Sequence, residues 1–167
     1  MTGDRILVTG SRTWKDRQLM EARLGPWFSF DNILVSGHCR EGGDAMAEKI
    51  WAGWLGFSVS AAIFGGYIEI HPADWRAPCR ETCRRNHRVP RDGSSYCPAA
   101  GDYRNLDMIA LGAAKCLAFA CMCEKKGCRG VLAKAAGLPH YTEGTLHCGV
   151  HAGKAGIDTE WIPDGRA

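Results

Sequence analysis

The chain has 167 residues, 46% hydrophobic and 23% charged, with a formal net charge of +3. That balance suits one folded domain with a buried core and excludes a disordered or fibrous chain. No uninterrupted apolar run approaches the roughly 20 residues a spanning helix needs, which argues against an integral membrane protein and a membrane partner.

In chain order, Arg5-Ile6-Leu7-Val8-Thr9 reads as a short buried strand that runs into the turn Gly10-Ser11-Arg12. No charged-then-apolar signal pattern precedes it, so a cytoplasmic location is expected. Residues 16–24 read as a helix stopped by Gly25-Pro26. Asn32-Ile33-Leu34-Val35-Ser36 reads as a second strand, followed by a Gly-rich loop from Gly37 to Gly43. Asp44 suits the N-cap of a helix reaching about Leu55, with Ala47, Trp51 and Leu55 on one face. Residues 57–70 suggest one or two strands broken by Gly65-Gly66, ending in His71-Pro72-Ala73-Asp74-Trp75. Residues 103–111 return to a helical pattern, residues 115–120 to a buried strand, residues 143–155 to a helix and residues 159–162 to a last strand.

Strand and helix alternate, and the strands are continuously apolar. The prediction is an α/β fold: a Rossmann-like, doubly wound, mostly parallel sheet of about five strands. The expected order is 3-2-1-4-5, with the switch point between the first strand and the strand at 115–120. Two irregular stretches, 76–101 and 121–142, read as inserts in this single domain.

In such a sheet, ligands bind beyond the C-terminal strand ends. Here those ends carry Gly10-Ser11-Arg12, the stretch from Gly37 to Asp44 with Gly42 and Gly43, the stretch from His71 to Trp75, and Gly144-Thr145. Glycines permit close backbone approach, free amides at helix starts attract phosphate, and Arg12 could grip one bidentately. No complete G-x-G-x-x-G and no G-x-x-x-x-G-K-[ST] is present, which excludes a standard dinucleotide or P-loop site. Cleaving an N-glycosidic bond would need a carboxylate, and Glu41, Asp44, Asp74 and Glu143 are the catalytic candidates. Asp44 equally suits a helix cap and Asp74 a turn, and His71 and His147 are candidate proton carriers. Whether the chain is an enzyme stays open.

Nine cysteines are many for a reducing compartment, where metal binding is a commoner use than disulfides. Cys79-x3-Cys83-x3-His87-x9-Cys97 supplies three thiols and an imidazole, a tetrahedral zinc set with no open position, hence structural. It would staple an insert that has few core residues. A second zinc is expected on Cys121, Cys123 and Cys128, with His140 as fourth ligand; His147 and His151, one helical turn apart, are alternatives. Cys116 reads as a small buried residue, and Cys39 as a candidate reactive thiol. Residues 76–91 hold six arginines (76, 80, 84, 85, 88 and 91) against Glu81 alone. That basic insert supports an alternative function, nucleic-acid binding, with Trp75, Tyr96 and His87 as base-stacking candidates. The same arginines would also offset the negative charge of three thiolates on one zinc ion.

The set Val8-Thr9-Gly10-Ser11-Arg12, Gly42-Gly43-Asp44, His71-Pro72-Ala73-Asp74-Trp75, Tyr103-Arg104-Asn105 and Gly144-Thr145-x-His147 resembles the YspA/YpsA-related SLOG proteins. These are small Rossmann-like proteins of bacteria and phages. Their superfamily includes the LOG phosphoribohydrolases and the Smf/DprA single-strand DNA binders. The resemblance covers most of the core. It implies a nucleotide or nucleotide-derived ligand held by Gly10, Ser11, Arg12, Gly42, Gly43, Asp44, Arg104, Asn105, Gly144 and Thr145. The LOG loop P-G-G-x-G-T-x-x-E is absent; Gly144-Thr145 echoes it, but Cys148 stands where its glutamate would be. A free sheet or helix face could also serve a second copy of the chain.

Overall fold

The buried strand at the N-terminus forms β1 (Arg5–Gly10) and lies at the centre of the sheet. The computed structural model describes residues 3–83 and 87–165. β1 pairs in parallel with β2 (Ile33–Ser36) on one side and with β6 (Lys115–Ala120) on the other. β3 (Ile68–Ile70) extends the β2 edge, and β7 (Asp158–Pro163) the β6 edge. The order β3-β2-β1-β6-β7 is the predicted one, with the reversal between β1 and β6.

Every residue of β6 is buried, as a strand covered on both faces requires. The pleat then sorts β1. Ile6 and Val8 point to a core shared with Met20 and Leu24 of α1 (Arg17–Leu24) and with Ile50 and Trp51 of α2 (Gly43–Trp54). Leu7 points to the opposite core, built with Met108 of α4 (Ala100–Ala110) and with Cys148 and Ala152 of α6 (Glu143–Lys154). Trp14 packs edge-on against Phe119, with ring centroids 5.2 Å apart.

Several boundaries differ from the sequence reading. The first half of 57–70 is not a strand but α3 (Val59–Phe64). Ser58 caps it by accepting a bond from the Ala61 amide, and Gly65 ends it; a serine cap outweighs the β propensity of Val59 and Ile63. Asp44 is not an N-cap. Gly42 occupies that position with φ +75°, and Asp44 lies inside the first turn of α2. Asp16 caps α1 through the Leu19 amide, and Gly25-Pro26 continues into one 3-10 turn before the chain leaves. The first insert holds a hairpin of β4 (Val89–Arg91) and β5 (Ser94–Tyr96), and α4 starts three residues before the predicted Tyr103. The second insert contains the short α5 (Val131–Ala136). No helix among the described residues is long and apolar enough to cross a membrane.

Candidate functional site

The loops after β1, β2, β3 and β6 and the N-termini of α2 and α6 surround an open cleft of about 1300 Å³. It sits at the switch point between β1 and β6, where neighbouring strands send their connections to opposite faces and a crevice results. Trp75 just before the first insert, Pro98 and Gly101 from that insert, and Arg129, Gly130 and His140 from the second form part of its wall.

Of the predicted glycines, Gly10 lines the cleft but Gly42 and Gly43 do not, and all three pack against the protein's own backbone. A Cβ on Gly10 would overlap Gly43, a Cβ on Gly43 would overlap Gly10, and a Cβ on Gly42 would overlap Arg12. The Gly43 amide donates to the Ser11 carbonyl at 3.0 Å, locking the turn after β1 onto the start of α2. Gly144 differs: nothing lies within 4 Å of its would-be side chain, and it is exposed on the cleft wall.

Five of the predicted binding residues hold the loops together. The Ser11 hydroxyl is buried, is hydrogen-bonded to the Thr142 hydroxyl at 2.6 Å and accepts from the Cys121 amide at 2.9 Å. Thr145 is buried beside both, with its hydroxyl 3.3 Å from Ser11 Oγ and 3.3 Å from Thr142 Oγ1. Asn105 accepts from Arg104 Nε and donates to the Gly144 carbonyl. Arg104 itself donates to the carbonyls of Gly37 and His71, tying the loops after β2 and β3 together. Asp44 is 4% exposed and accepts from the Gly10 amide at 3.0 Å and the Cys39 amide at 3.5 Å. Burial pushes its pKa up, against the pull of the Arg104 guanidinium. Its carboxylate is thus a brace for two loops.

Arg12 is exposed on the cleft, with no carboxylate partner among the described residues. Arg40 and Arg129 line the same cleft, equally exposed and equally without an acid. Of the catalytic candidates, Glu41 and Glu143 are exposed on the wall. Asp74 is not among the lining residues; it accepts from the amides of Arg76 and Ala77 and fixes its own turn. His147 reaches the cleft, its ring tilted against that of His151 with centroids 4.4 Å apart and Asp102 3.9 Å away; burial lowers the pKa of His147, against the pull of Asp102. His71 is engaged by Glu69, which also pairs with Arg5. Burial and the nearby Asp44 raise the pKa of Cys39, against the pull of Arg104, which disfavours the thiolate that a reactive cysteine needs.

All nine cysteines are free thiols. Cys79, Cys83, His87 and Cys97 meet as predicted, their donor atoms all within 4.8 Å of one another. Cys79 Sγ is 3.0 Å and Cys97 Sγ 3.4 Å from His87 Nε2, and Cys83 Sγ is 3.8 Å from Cys97 Sγ. A tetrahedral ion with bonds of about 2.3 Å to sulfur separates its thiolates by about 3.8 Å, so the four donors fit a metal. Tyr103, part of the sequence motif, places its hydroxyl 2.9 Å from Cys83 Sγ. Arg88 approaches Cys79 Sγ at 3.6 Å while bonding Ala77 and Ser95, and thereby ties the hairpin to the ligand loop. Arg80 pairs with Asp107 and lies 4.5 Å over the Tyr103 ring. These two arginines are therefore engaged within the fold; Arg84 and Arg85 lie outside the described residues. Of the stacking candidates, Trp75 meets Tyr96 edge-on at 6.2 Å, and His87 belongs to the metal set.

The second cluster differs from its prediction. Cys123, Cys128 and His140 come together, but Cys121 does not join them. Cys121 follows directly on β6, is 2% exposed and belongs to the core under β1, with Thr13, Ser11 and Asp164 around its thiol. Its backbone explains this: the Cys121 amide is held by Ser11 Oγ at 2.9 Å and its carbonyl by the Thr142 amide at 3.0 Å, whereas the Cys123 amide is bonded to the His140 carbonyl in the insert. His147 and His151 sit together on α6, away from this cluster. Cys116 lies buried against Cys148, as its reading as a core residue expects.

Two features escaped the sequence reading. Glu48, 3% exposed, accepts from Ser36 Oγ at 2.6 Å and meets His38 Nδ1 at 3.0 Å, so α2 braces the β2 loop as well. Its signal was present: Asp44 and Glu48, four apart, put two acids on one helix face near the strand ends. Arg40 and Arg129 lacked any such pattern.

Among known proteins, the chain is similar to the Gene 61 protein of Mycobacterium phage D29. The two are 30% identical over 159 residues, covering 92% of this chain and 91% of that protein. No family model matches the chain. No solved structure matches it.

Proposed function

This chain belongs to the family of the Gene 61 protein of Mycobacterium phage D29, and we propose that it binds a nucleotide or nucleotide-derived small molecule at the C-terminal edge of its sheet, as a sensor or sequestering protein. The observation that carries this reading is the trio Arg12, Arg40 and Arg129, exposed around one cleft and without acidic partners among the described residues. Unpaired guanidinium groups at the mouth of a crevice favour an anion, and phosphate accepts their bidentate bonds. A volume of about 1300 Å³ leaves room for a base and ribose beyond the phosphate. Trp75, 39% exposed on the wall, offers a face for the base. The resemblance to SLOG proteins supports the same ligand class. In this reading the ion at Cys79, Cys83, His87 and Cys97 is zinc and structural: it holds the hairpin insert that presents Trp75.

The test is a calorimetric titration with nucleoside mono- and diphosphates, after native mass spectrometry of the purified protein for a co-purified ligand. Losing one charge-assisted contact of about 1.5–3 kcal/mol, Arg12→Ala should weaken binding roughly 10- to 100-fold. The double change Arg84→Ala/Arg85→Ala should leave it intact. The reverse pattern, with oligonucleotide binding that falls steeply with salt, would replace this reading with the nucleic-acid one.

A further inference from the structure

We propose that Cys123, Cys128 and His140 form a second metal site of a different kind: three protein ligands and a fourth coordination position that takes an anionic oxygen on the cleft side. The three donor atoms lie within 4.8 Å of one another, and Cys128 Sγ is 3.2 Å from His140 Nε2. The local chain is built to keep them so. The Cys123 amide donates to the His140 carbonyl at 2.8 Å, and Met122 bridges to Tyr141, clamping the two ends of the insert. Gly130 has φ +56°, and the His140 ring packs so closely over it that a Cβ there would overlap the imidazole.

Two thiolates and one imidazole are a soft set that suits zinc, and three protein ligands leave a tetrahedral ion one position short. Two observations say what fills it. The first is location: His140, with Arg129, Gly130 and Glu143, lines the cleft, whereas none of Cys79, Cys83, His87 and Cys97 does. The second is charge. Two thiolates neutralise a divalent ion, whereas the first cluster with three carries a net −1. A neutral centre does not repel an anion, and Arg129, adjacent in sequence to Cys128, has no acidic partner among the described residues. Glu143, with Oε1 3.5 Å from Cys128 Sγ, flanks the cluster without joining the three mutually close donors. The site thus takes a phosphate or carboxylate oxygen, and the first cluster, with its four ligands, takes none.

The experiment loads the full-length apo-protein with Co²⁺, whose visible absorption reports coordination, and then adds methylphosphonate as the anionic probe. We expect two equivalents to bind and the bands of one to shift with the anion. Cys128→Ser, checked for folding by circular dichroism, should bind one equivalent and show no shift. One equivalent in the wild type overturns the proposal, and so does a second equivalent whose spectrum ignores saturating anion. Either overturning result is read from the wild-type chain, even if the variant does not fold. The readout is the metal's own spectrum, so a failure of nucleotide binding leaves it unaffected; Arg12→Ala should keep both ions and the shift.

Discussion

Asp44 offers the sharpest separation of a brace from a ligand-binding group. In Asp44→Ala the Gly10 amide loses a charged acceptor at 3.0 Å and the Cys39 amide a marginal one at 3.5 Å. A charge-assisted bond of the first kind contributes about 2 kcal/mol, and the second adds less than about 1. The loss should be about 3 kcal/mol, because the site is buried and water cannot replace the acceptor. For a chain of this size that lowers Tm by roughly 6–12 °C. Asp44→Asn keeps one acceptor and should lose about 1 kcal/mol or less. Ionisation adds a signature of its own. Burial raises the carboxyl pKa in the folded state. As pH rises through the ordinary aspartate range, the unfolded chain releases this proton before the folded one does. Stability from this group therefore falls with rising pH up to the raised value and is level above it. Asp44→Asn removes that slope. Circular dichroism melts at several pH values measure all three effects. A wild-type-like Tm for Asp44→Ala, combined with lost ligand binding, would refute the brace and return Asp44 to the ligand.

The first metal cluster should behave as a local staple. Chelation, or Cys83→Ser, should open residues 76–97 to hydrogen exchange and proteolysis while β1, β2 and β6 stay protected; global unfolding would contradict a staple confined to the insert. Cys39 should react with iodoacetamide at neutral pH several-fold more slowly than a model thiol, measured by mass spectrometry of the labelled peptide, since burial and Asp44 keep it protonated. Gly43→Ala should destabilise by about 1–3 kcal/mol in urea unfolding, because its Cβ would overlap Gly10. Gly144→Ala, in open space and inside a helix, should be neutral or slightly stabilising by the same assay. Phe119→Ala, removing a fully buried ring that meets Trp14 edge-on, should cost about 3–5 kcal/mol.

Much of the frame was legible in the linear order of residues. Continuous apolar runs such as Cys116–Ala120 require burial on both faces, and the strand–helix alternation with right-handed crossovers then leaves few strand orders. The Cys79 to Cys97 set was legible because ligands four apart and one hairpin away can converge without long-range information. Residues 57–64 were misread because six residues with one serine cap carry too short a period to separate helix from strand.

The sequence alone therefore determined the sheet, its switch point and the first metal set, since each follows from local periodicity and short spacing. The tertiary structure alone decided which polar residues face a ligand and which face the protein. Gly10 meets Gly43, Ser11 meets Thr142, and Asp44 meets the Gly10 amide, all across distant stretches of chain. Arg12, Arg40 and Arg129 come from three separate loops and gather only because the strand ends converge on one crevice. Cys121 leaves the second metal set because its amide is bonded to Ser11 and its carbonyl to Thr142, which hold it in the core at the end of the sheet. A spacing rule counts residues along the chain; which side of a strand or helix each one takes is settled by packing against elements far away in sequence.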